Sequence, residues 1–369
     1  MDPMDQQPRV AITLEQFWHR VPGGTATAVW AMARALADRD LDLVGVSAWN
    51  KTKPDVRFRL PFAIEWLPLP RAALYPSWHR FRRPKVEAAT GPVEVIHATT
   101  FAIPPKSAPL VVTIHDFAFL HDPEHYTARG RRFFERGLEL ALQDADVVAC
   151  PSRATADDCI TNGFQPERVR VVPWGVERVA VSEDDIVATL AAFEISTPYI
   201  LWTGTIEPRK NLARLVEAFL SMDTDTELVL AGPQGWNEDL SRLLAQGAGR
   251  IRSLGYVQPH ELAALYSGAS VFCYPSLLEG FGLPVLEAMA QGAPVVTARG
   301  TATEEAAGGA AVLVDPLDAR SIAEGMTELL QDRPKAELLS AAGRARAKEL
   351  TWASCAERMH AVYDEVRNR

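Results

Sequence analysis

The sequence is poor in the features that would take it away from ordinary soluble proteins. Four cysteines in 369 residues (Cys150, Cys159, Cys273, Cys355) show neither C-x-x-C spacing nor a disulfide framework. A reduced compartment is the expectation. No uninterrupted apolar run is long enough to cross a bilayer. Residues 1–7 are acidic and polar and lack the basic-then-apolar order of a signal peptide. The expected location is therefore the cytoplasm, with membrane contact no closer than peripheral attachment at the inner face. Positive charge is in deficit: a net charge of −9 excludes a general nucleic-acid role but leaves room for a local basic site. Tandem repeats and low-complexity segments are missing, and the histidines do not cluster with metal-ligand spacing.

What is present is a long alternation of short apolar runs with helical patterns. The length suits two domains of about 180 residues each. In the first half, Arg9–Leu14, Leu43–Val46, Val93–His97, Leu110–Ile114, Val147–Cys150 and Val169–Val172 read as strands. Thr25–Ala37 and Arg131–Gln143 read as helices, and a further helix starts after Ser152. The pattern then restarts with strands at Tyr199–Thr203, Glu227–Ala231, Arg252–Gly255, Val271–Tyr274, Val295–Thr297 and Ala311–Val314. Asn211–Phe219 and Glu238–Gln246 are the intervening helices. This is the βα order of parallel sheets covered by helices on both faces. Pro173-Trp-Gly-Val and the acidic Ser182-Glu-Asp-Asp mark the linker. The expected division is residues 1–178, residues 179–350, and a C-terminal helix in residues 351–369 that packs back on the first domain. Two such doubly wound domains would face a cleft at the carboxyl ends of their strands.

The most informative stretch is Glu279-Gly-Phe-Gly-Leu-Pro-Val-Leu-Glu287. Two carboxylates flank a glycine loop that runs straight into a helix, whose first turn Pro284 suits. Free N–H groups at such a helix start favour phosphate, and carboxylates accept well from sugar hydroxyls. The arrangement suggests a nucleotide sugar; the bland alternative is a pair of surface glutamates stabilising a helix dipole. A second element, Gly204-Thr-Ile-Glu-Pro-Arg209-Lys210-Asn211, follows a strand and precedes a helix that Asn211 can cap. Arg209 and Lys210 there supply charge suited to phosphates, as a fork and a point charge. His115 follows the strand Leu110–Ile114, where a structural histidine bonded to backbone is the competing reading. Gly23-Gly24 opens the first long helix but is not a G-x-G-x-x-G fingerprint.

Together these motifs resemble the retaining glycosyltransferases of family 4, with the GT-B fold: α/β, two doubly wound Rossmann-like domains facing a cleft. The resemblance covers nearly the whole chain, through Gly23-Gly24, Val-Thr-Ile-His115-Asp116, Pro151-Ser152-Arg, Val-Val-Pro-Trp-Gly175-Val, Gly204 to Asn211 and Pro-Ser-x-x-Glu279 to Glu287. It implies that Glu287 holds the ribose hydroxyls of the donor and that Glu279 contacts the donor sugar. Lys210, helped by Arg209, would neutralise the diphosphate, cradled by N–H groups around Gly280, Phe281, Gly282 and Leu283. Gly23 and Gly24 would close over the phosphates, His115 would line the donor-sugar site, and the Val257 main chain would touch the base. Some family members carry arginine after the glycine equivalent to Gly204. Here Thr205 stands in its place, so either Arg209 takes more of the charge or Thr205 donates a hydrogen bond.

The resemblance also implies retention of configuration without a divalent metal or a permanently bound cofactor, and the sequence has no Asp-x-Asp element of metal-dependent sugar transfer. The version of the motif resembles mannosyltransferases of surface-polysaccharide assembly, which favours GDP-mannose as donor, with UDP-hexoses next. The acceptor would be a glycan or a lipid-linked glycan. Two clusters mix basic and aromatic residues, Trp78–Lys85 and Arg129–Arg136. They read either as solvated helix faces with core-facing rings or as a surface for anionic lipid. The rival function is a nucleotide-sugar-binding module that has lost catalysis.

Overall fold

The computed structural model of the protein describes residues 7–18, 23–233, 235, 241–247 and 249–369. The chain divides into two units, Met1–Gly175 with Trp352–Arg369, and Val176–Thr351.

The first unit is built on seven parallel strands: β1 (Arg9–Thr13), β2 (Asp42–Ser47), β3 (Ile64–Trp66), β4 (Val95–Ala98), β5 (Leu110–Thr113), β6 (Val147–Cys150) and β7 (Val169–Val171). Their spatial order is β3-β2-β1-β4-β5-β6-β7. The centre is β1, whose Ala11 pairs with Val44 on one side and Ile96 on the other. Both sheet faces are covered, so the inner strands β1, β4, β5 and β6 are buried at nearly every position rather than at alternate ones. Val10, Ile12, Val147 and Ala149 enter one core, while Ala11, Val148 and Cys150 enter the opposite one. The helix Trp352–Arg367 belongs to the first of these cores. Its Cys355, Ala356, Met359, Val362, Tyr363 and Val366 form a stripe at helical spacing against the same layer as Val10, Val29 and Met32. Each large apolar side chain buried there contributes about 2 kcal/mol.

The second unit repeats the plan with β8 (Tyr199–Thr203), β9 (Glu227–Ala231), β10 (Ile251–Gly255), β11 (Val271–Tyr274), β12 (Val295–Ala298) and β13 (Val312–Val314), all parallel. The order β10-β9-β8-β11-β12-β13 reverses between β8 and β11, as the first sheet reverses between β1 and β4. Such reversals open a crevice at the carboxyl ends of the central strands.

Several sequence expectations shift in detail. The helix expected at Arg131–Gln143 runs Ala128–Asp144, because the Thr127 hydroxyl accepts from Gly130 N at 3.1 Å and starts it earlier. The acidic Ser182-Glu-Asp-Asp is no linker: Ser182 and Asp185 form a reciprocal cap on the helix Glu183–Ala192. Of the helix expected at Glu238–Gln246, Ser241–Gln246 is observed and residues 238–240 lie outside the described residues; so do residues 1–6 of the polar N-terminal segment. The sequence reading missed β3, whose Glu65 and Trp66 are exposed at the sheet edge, and the helix Arg71–Phe81, which carries Pro76 inside it.

The two basic-aromatic clusters prove largely structural. Trp78 is buried and donates to Pro84 O at 2.9 Å, and Phe133 and Phe134 pack on the core. Arg82 donates to the carbonyls of Trp78, Ile103 and Pro104 and pairs with Asp144. Arg83, Arg132 and Phe81 remain exposed.

Candidate functional site

The site residues of the second unit gather where β8 and β11 end. After Thr203, Gly204 adopts φ +139°, and an added Cβ would lie 3.1 Å from the Lys210 side chain. The loop can thus lie flat over that lysine only with glycine there. A short turn, Pro208–Lys210, then leads into the helix Leu212–Leu220. Asn211 occupies the position before that helix with φ +59° but makes no capping hydrogen bond, contrary to expectation. Its amide instead ties three segments together. Nδ2 donates to Pro275 O at 2.9 Å and Pro316 O at 2.6 Å, and Oδ1 accepts from Arg214 at 2.7 Å.

From β11 the chain runs through Tyr274, Ser276 and Glu279 into the helix Leu283–Gln291. Gly282 precedes that helix at φ +108°, with Thr303 atoms 3.0 to 3.4 Å from where a Cβ would stand. A side chain there is therefore both strained and crowded. Phe281 and Leu283 are buried, which anchors the loop backbone on either side of that glycine. The first N–H groups of such a helix have no partner within it and carry the positive end of its dipole.

Glu279 is the hub of the cluster. Its carboxylate accepts from Arg209 Nη1 at 2.9 Å, Tyr274 Oη at 2.7 Å, Ser276 Oγ at 3.1 Å and Lys210 Nζ at 3.4 Å. Arg209 also reaches Glu207 at 2.9 Å and Leu278 O at 3.1 Å. Lys210 is buried and donates to Tyr274 Oη at 2.6 Å. Burial by itself would raise the Glu279 carboxyl, but the charges of Arg209 and Lys210 and the Tyr274 hydroxyl outweigh it and hold the pKa at about 2. Two cations thus face two carboxylates, Glu207 and Glu279, in a nearly closed polar cluster.

Glu287 sits about one turn into the helix Leu283–Gln291 that follows the cluster's loop. Its Oε2 accepts from Tyr266 Oη at 3.1 Å, and Tyr266 Oη lies 2.9 Å from Thr203 Oγ1. A phenol has a single proton, so with it given to Glu287 the Thr203 hydroxyl must donate to Tyr266. Burial raises the Glu287 carboxyl, partly offset by Tyr266 and the Lys210 charge.

The structure therefore brings Arg209, Lys210 and Glu279 into direct contact, sets Gly204 against Lys210, and links Glu287 electrostatically to Lys210. Thr205, next to Gly204, is half-buried and Val257, just after β10, is buried; no side-chain hydrogen bond of either to this cluster is observed among the described residues. Gly23, Gly24 and His115 belong to the first unit. Gly23 and Gly24 open the helix Gly23–Leu36, exposed, with free space where their Cβ atoms would be. His115 follows β5, donates to Thr99 O at 2.8 Å and lies 5.3 Å from the Trp174 ring. The sequence reading overlooked Tyr274, Ser276, Tyr266, Thr203 and Glu207. A signal existed for the first: a phenol closing the otherwise apolar run Val-Phe-Cys-Tyr274 has no packing reason to be polar. Among the described residues, ligand atoms close enough to share a metal occur in Asp122, Glu124 and His125 of the first unit, none of them an expected site residue.

Comparison with known proteins fits this layout. Residues 22–178 match the family described as Glycosyltransferase Family 4, and residues 192–346 match Glycosyl transferases group 1. An O-antigen chain mannosyltransferase B from Escherichia coli is 34% identical over 276 residues, covering 71% of each chain. An MMP alpha-(1->4)-mannosyltransferase from Mycolicibacterium hassiacum is 31% identical over 278 residues, 70% of this chain and 66% of that one. Among solved structures, Anabaena HepE in complex with UDP and glucose superposes with a TM-score of 0.77 at 17% identity, covering 97% of this chain and 100% of that one. Sucrose-phosphate synthase from Thermosynechococcus elongatus gives 0.77 at 21%, covering 98% and 99%.

Proposed function

As the chain belongs to glycosyltransferase family 4 and has the GT-B fold, we propose that it is a retaining, metal-independent hexosyltransferase in surface-polysaccharide or glycolipid synthesis. It moves mannose from GDP-mannose to a hydroxyl of a glycan or lipid-linked acceptor. The observation that carries this reading is the contact of Arg209 and Lys210 with Glu279 beside a glycine loop and helix start. Similarity to mannosyltransferases supports the choice of sugar. UDP-hexose is the alternative donor.

Breaking the sugar–diphosphate bond places negative charge on the leaving oxygen and positive charge on the anomeric carbon. Lys210 and Arg209 meet the first, together with the N–H groups of Gly280 to Leu283, in fixed positions that need no reorganisation. Glu279, ionised at neutral pH, accepts from a hydroxyl of the transferred sugar and donates no proton. Glu287 accepts from the ribose hydroxyls, the Val257 main chain meets the base, and Thr205 adds a hydroxyl near the phosphates. A diphosphate oxygen takes the acceptor proton during front-face attack, so no separate base is required. For Gly23, Gly24 and His115 the proposed donor contacts rest on the motif alone. The enzyme works in the cytoplasm, and exposed Arg83, Arg132 and Phe81 provide peripheral contact with an anionic inner membrane face. Neutralising Arg83 and Arg132, but not the structurally committed Arg82, should abolish salt-sensitive liposome binding.

The testing experiment is a thermal-shift panel of GDP, UDP, dTDP and ADP with and without magnesium, followed by turnover of the matching nucleotide sugar. A selective, magnesium-independent shift with turnover supports the reading. No shift at millimolar nucleotide would overturn it in favour of a module that no longer transfers.

A further inference from the structure

A buried phenol needs a hydrogen-bonding partner, and two tyrosines of the second unit meet that need differently. Tyr199, which opens β8, donates its hydroxyl to Leu265 O at 2.6 Å and so ties the end of the helix Pro259–Gly268 to the sheet. That bond closes on backbone. Tyr266, the next residue of the same helix, is 2% exposed and ends on a carboxylate instead. Its ring stands edge-on to Phe272, with centroids 5.3 Å apart. Phenylalanine would fill the same space; the hydroxyl adds only its hydrogen bonds.

Three elements meet at Tyr266 Oη. Thr203 Oγ1, at the end of β8, lies 2.9 Å away, and Glu287 Oε2, on the helix Leu283–Gln291, lies 3.1 Å away. Burial and the Glu287 charge push the phenol well above its ordinary value, so it keeps its proton. An ionised carboxylate only accepts, so the protons run one way, from Thr203 to Tyr266 to Glu287. The chain fixes which oxygen of Glu287 is spent. Oε1 makes no hydrogen bond among the described residues. The buried side-chain atoms left without a partner there are Arg9 Nε, Glu15 Oε1, Gln16 Oε1, His115 Nδ1 and Trp202 Nε1. Glu287 Oε1 is not one of them and therefore opens to solvent. Burial raises the Glu287 carboxyl, and the Tyr266 hydrogen bond is the largest influence opposing that rise. Thr203 also directly precedes Gly204, which lies against the Lys210 side chain. The chain thus joins the strand end that carries the Lys210 loop to the helix that carries Glu287.

We propose that Tyr266, backed by Thr203, is a positioning residue that turns Oε1 of Glu287 toward the ribose hydroxyls of the donor nucleotide. The inference rests on the assignment of Glu287 to the ribose and deepens it: Tyr266 touches no substrate and acts through Glu287. A carboxylate held by one oxygen presents the other in a fixed direction, so the ribose meets an acceptor that does not have to be ordered on binding. No motif marks Tyr266 or Thr203 for this task.

Full-length protein would be titrated with GDP and UDP and with the 2′,3′-dideoxy form of each. The ratio of the two affinities reads the ribose contacts alone, because base, diphosphate and fold are common to both forms. Tyr266→Phe keeps the ring and its contact with Phe272, Thr203→Val keeps the shape of the strand, and Glu287→Gln gives the reference for a lost carboxylate. Melting temperature would serve as the check on folding. Wild type should prefer the ribonucleotide, and Glu287→Gln should remove most of that preference. Tyr266→Phe should lower it about fivefold, the equivalent of about 1 kcal/mol, while binding the dideoxy form as wild type does. Thr203→Val should lower it about twofold, and Thr203→Ser should restore it. A Tyr266→Phe protein that keeps the full preference, or that weakens both forms equally, overturns the proposal and leaves the role of Glu287 standing. Where Tyr266→Phe folds poorly, Thr203→Val against Thr203→Ser decides in its place: equal preference in the two overturns the proposal. A wild type indifferent to the ribose hydroxyls overturns the assignment of Glu287 and the proposal with it. Failure of every nucleotide to bind wild type overturns the transferase reading itself.

Discussion

The cluster around Glu279 and the buried polar residues around Thr99 stand at equivalent places, each beyond the central strands of a parallel sheet, yet they are finished to different degrees. Around Glu279 every charge has a partner of opposite sign: Arg209 bridges Glu207 and Glu279, and Lys210 is shared between Glu279 and Tyr274. Around Thr99 the side chains are equally well oriented, but Gln16 and His115 each end in a buried acceptor without a partner. The first arrangement holds charge ready in a rigid, neutral package. The second leaves buried acceptors unmet, at a cost of about 1–3 kcal/mol each.

The largest test of this contrast is removal of the lysine. Lys210→Ala should lower turnover about 100- to 1000-fold, as loss of a preorganised charge does, with a smaller change in KM for the donor. Steady-state kinetics that leave kcat intact would take Lys210 out of the chemistry. Next comes acid. The folded carboxyl of Glu279 lies at about 2, below its ordinary 4.5, so its stabilising contribution is complete above 4.5 and vanishes as pH falls toward 2. Melting curves across that window should show a loss of about 3 kcal/mol that Glu279→Gln removes. A pH profile identical in variant and wild type would show that the cluster is looser than described.

A third comparison sets a saturated amide against an unsaturated one. Asn211→Ala abandons two carbonyls and Arg214 and should cost about 2–3 kcal/mol, whereas Gln16→Met gives up one hydrogen bond and an idle oxygen and should cost about 1 kcal/mol. Chemical denaturation of the two variants side by side decides it; equal losses would mean that Gln16 Oε1 is satisfied in solution. The smallest effect belongs to Tyr274→Phe, which deletes the hydroxyl between Lys210 and Glu279. Turnover should fall about fivefold, since one hydrogen bond is worth about 1 kcal/mol. If Tyr274 matters only for packing, turnover will not move.

The same contrast governs how much could be read in advance. β8, β9 and β11 are visible in the sequence to their ends, because strands buried on both faces are continuous apolar runs cut by polar residues. Arg209, Lys210, Glu279 and Glu287 announce themselves through spacing around glycine and a helix start. Asn211 looks like a cap and is not one, since its αL backbone turns the side chain toward Pro275 and Pro316. Gln16 could not be found at all. Its significance lies in which way its amide faces, and that is set by Thr99, 83 residues away. The anchoring of Arg82 was hidden for the same reason: its four acceptors come from two distant segments as well as its own helix.

The helix Trp352–Arg367 carries a consequence for how the chain is made. It lines one core of the first unit, and its Tyr363 hydroxyl is 2.8 Å from the fully buried His97 Nδ1. Those residues are synthesised only after the whole of Val176–Thr351. During translation the face formed by Val10, Ile12, Val29 and Met32 therefore waits uncovered while the second unit emerges, exposing apolar surface to the crowded environment of the ribosome. An expression fragment ending at Gly175 would keep that face bare for good, and should be recovered from inclusion bodies unless a peptide spanning 352–367 is supplied in trans.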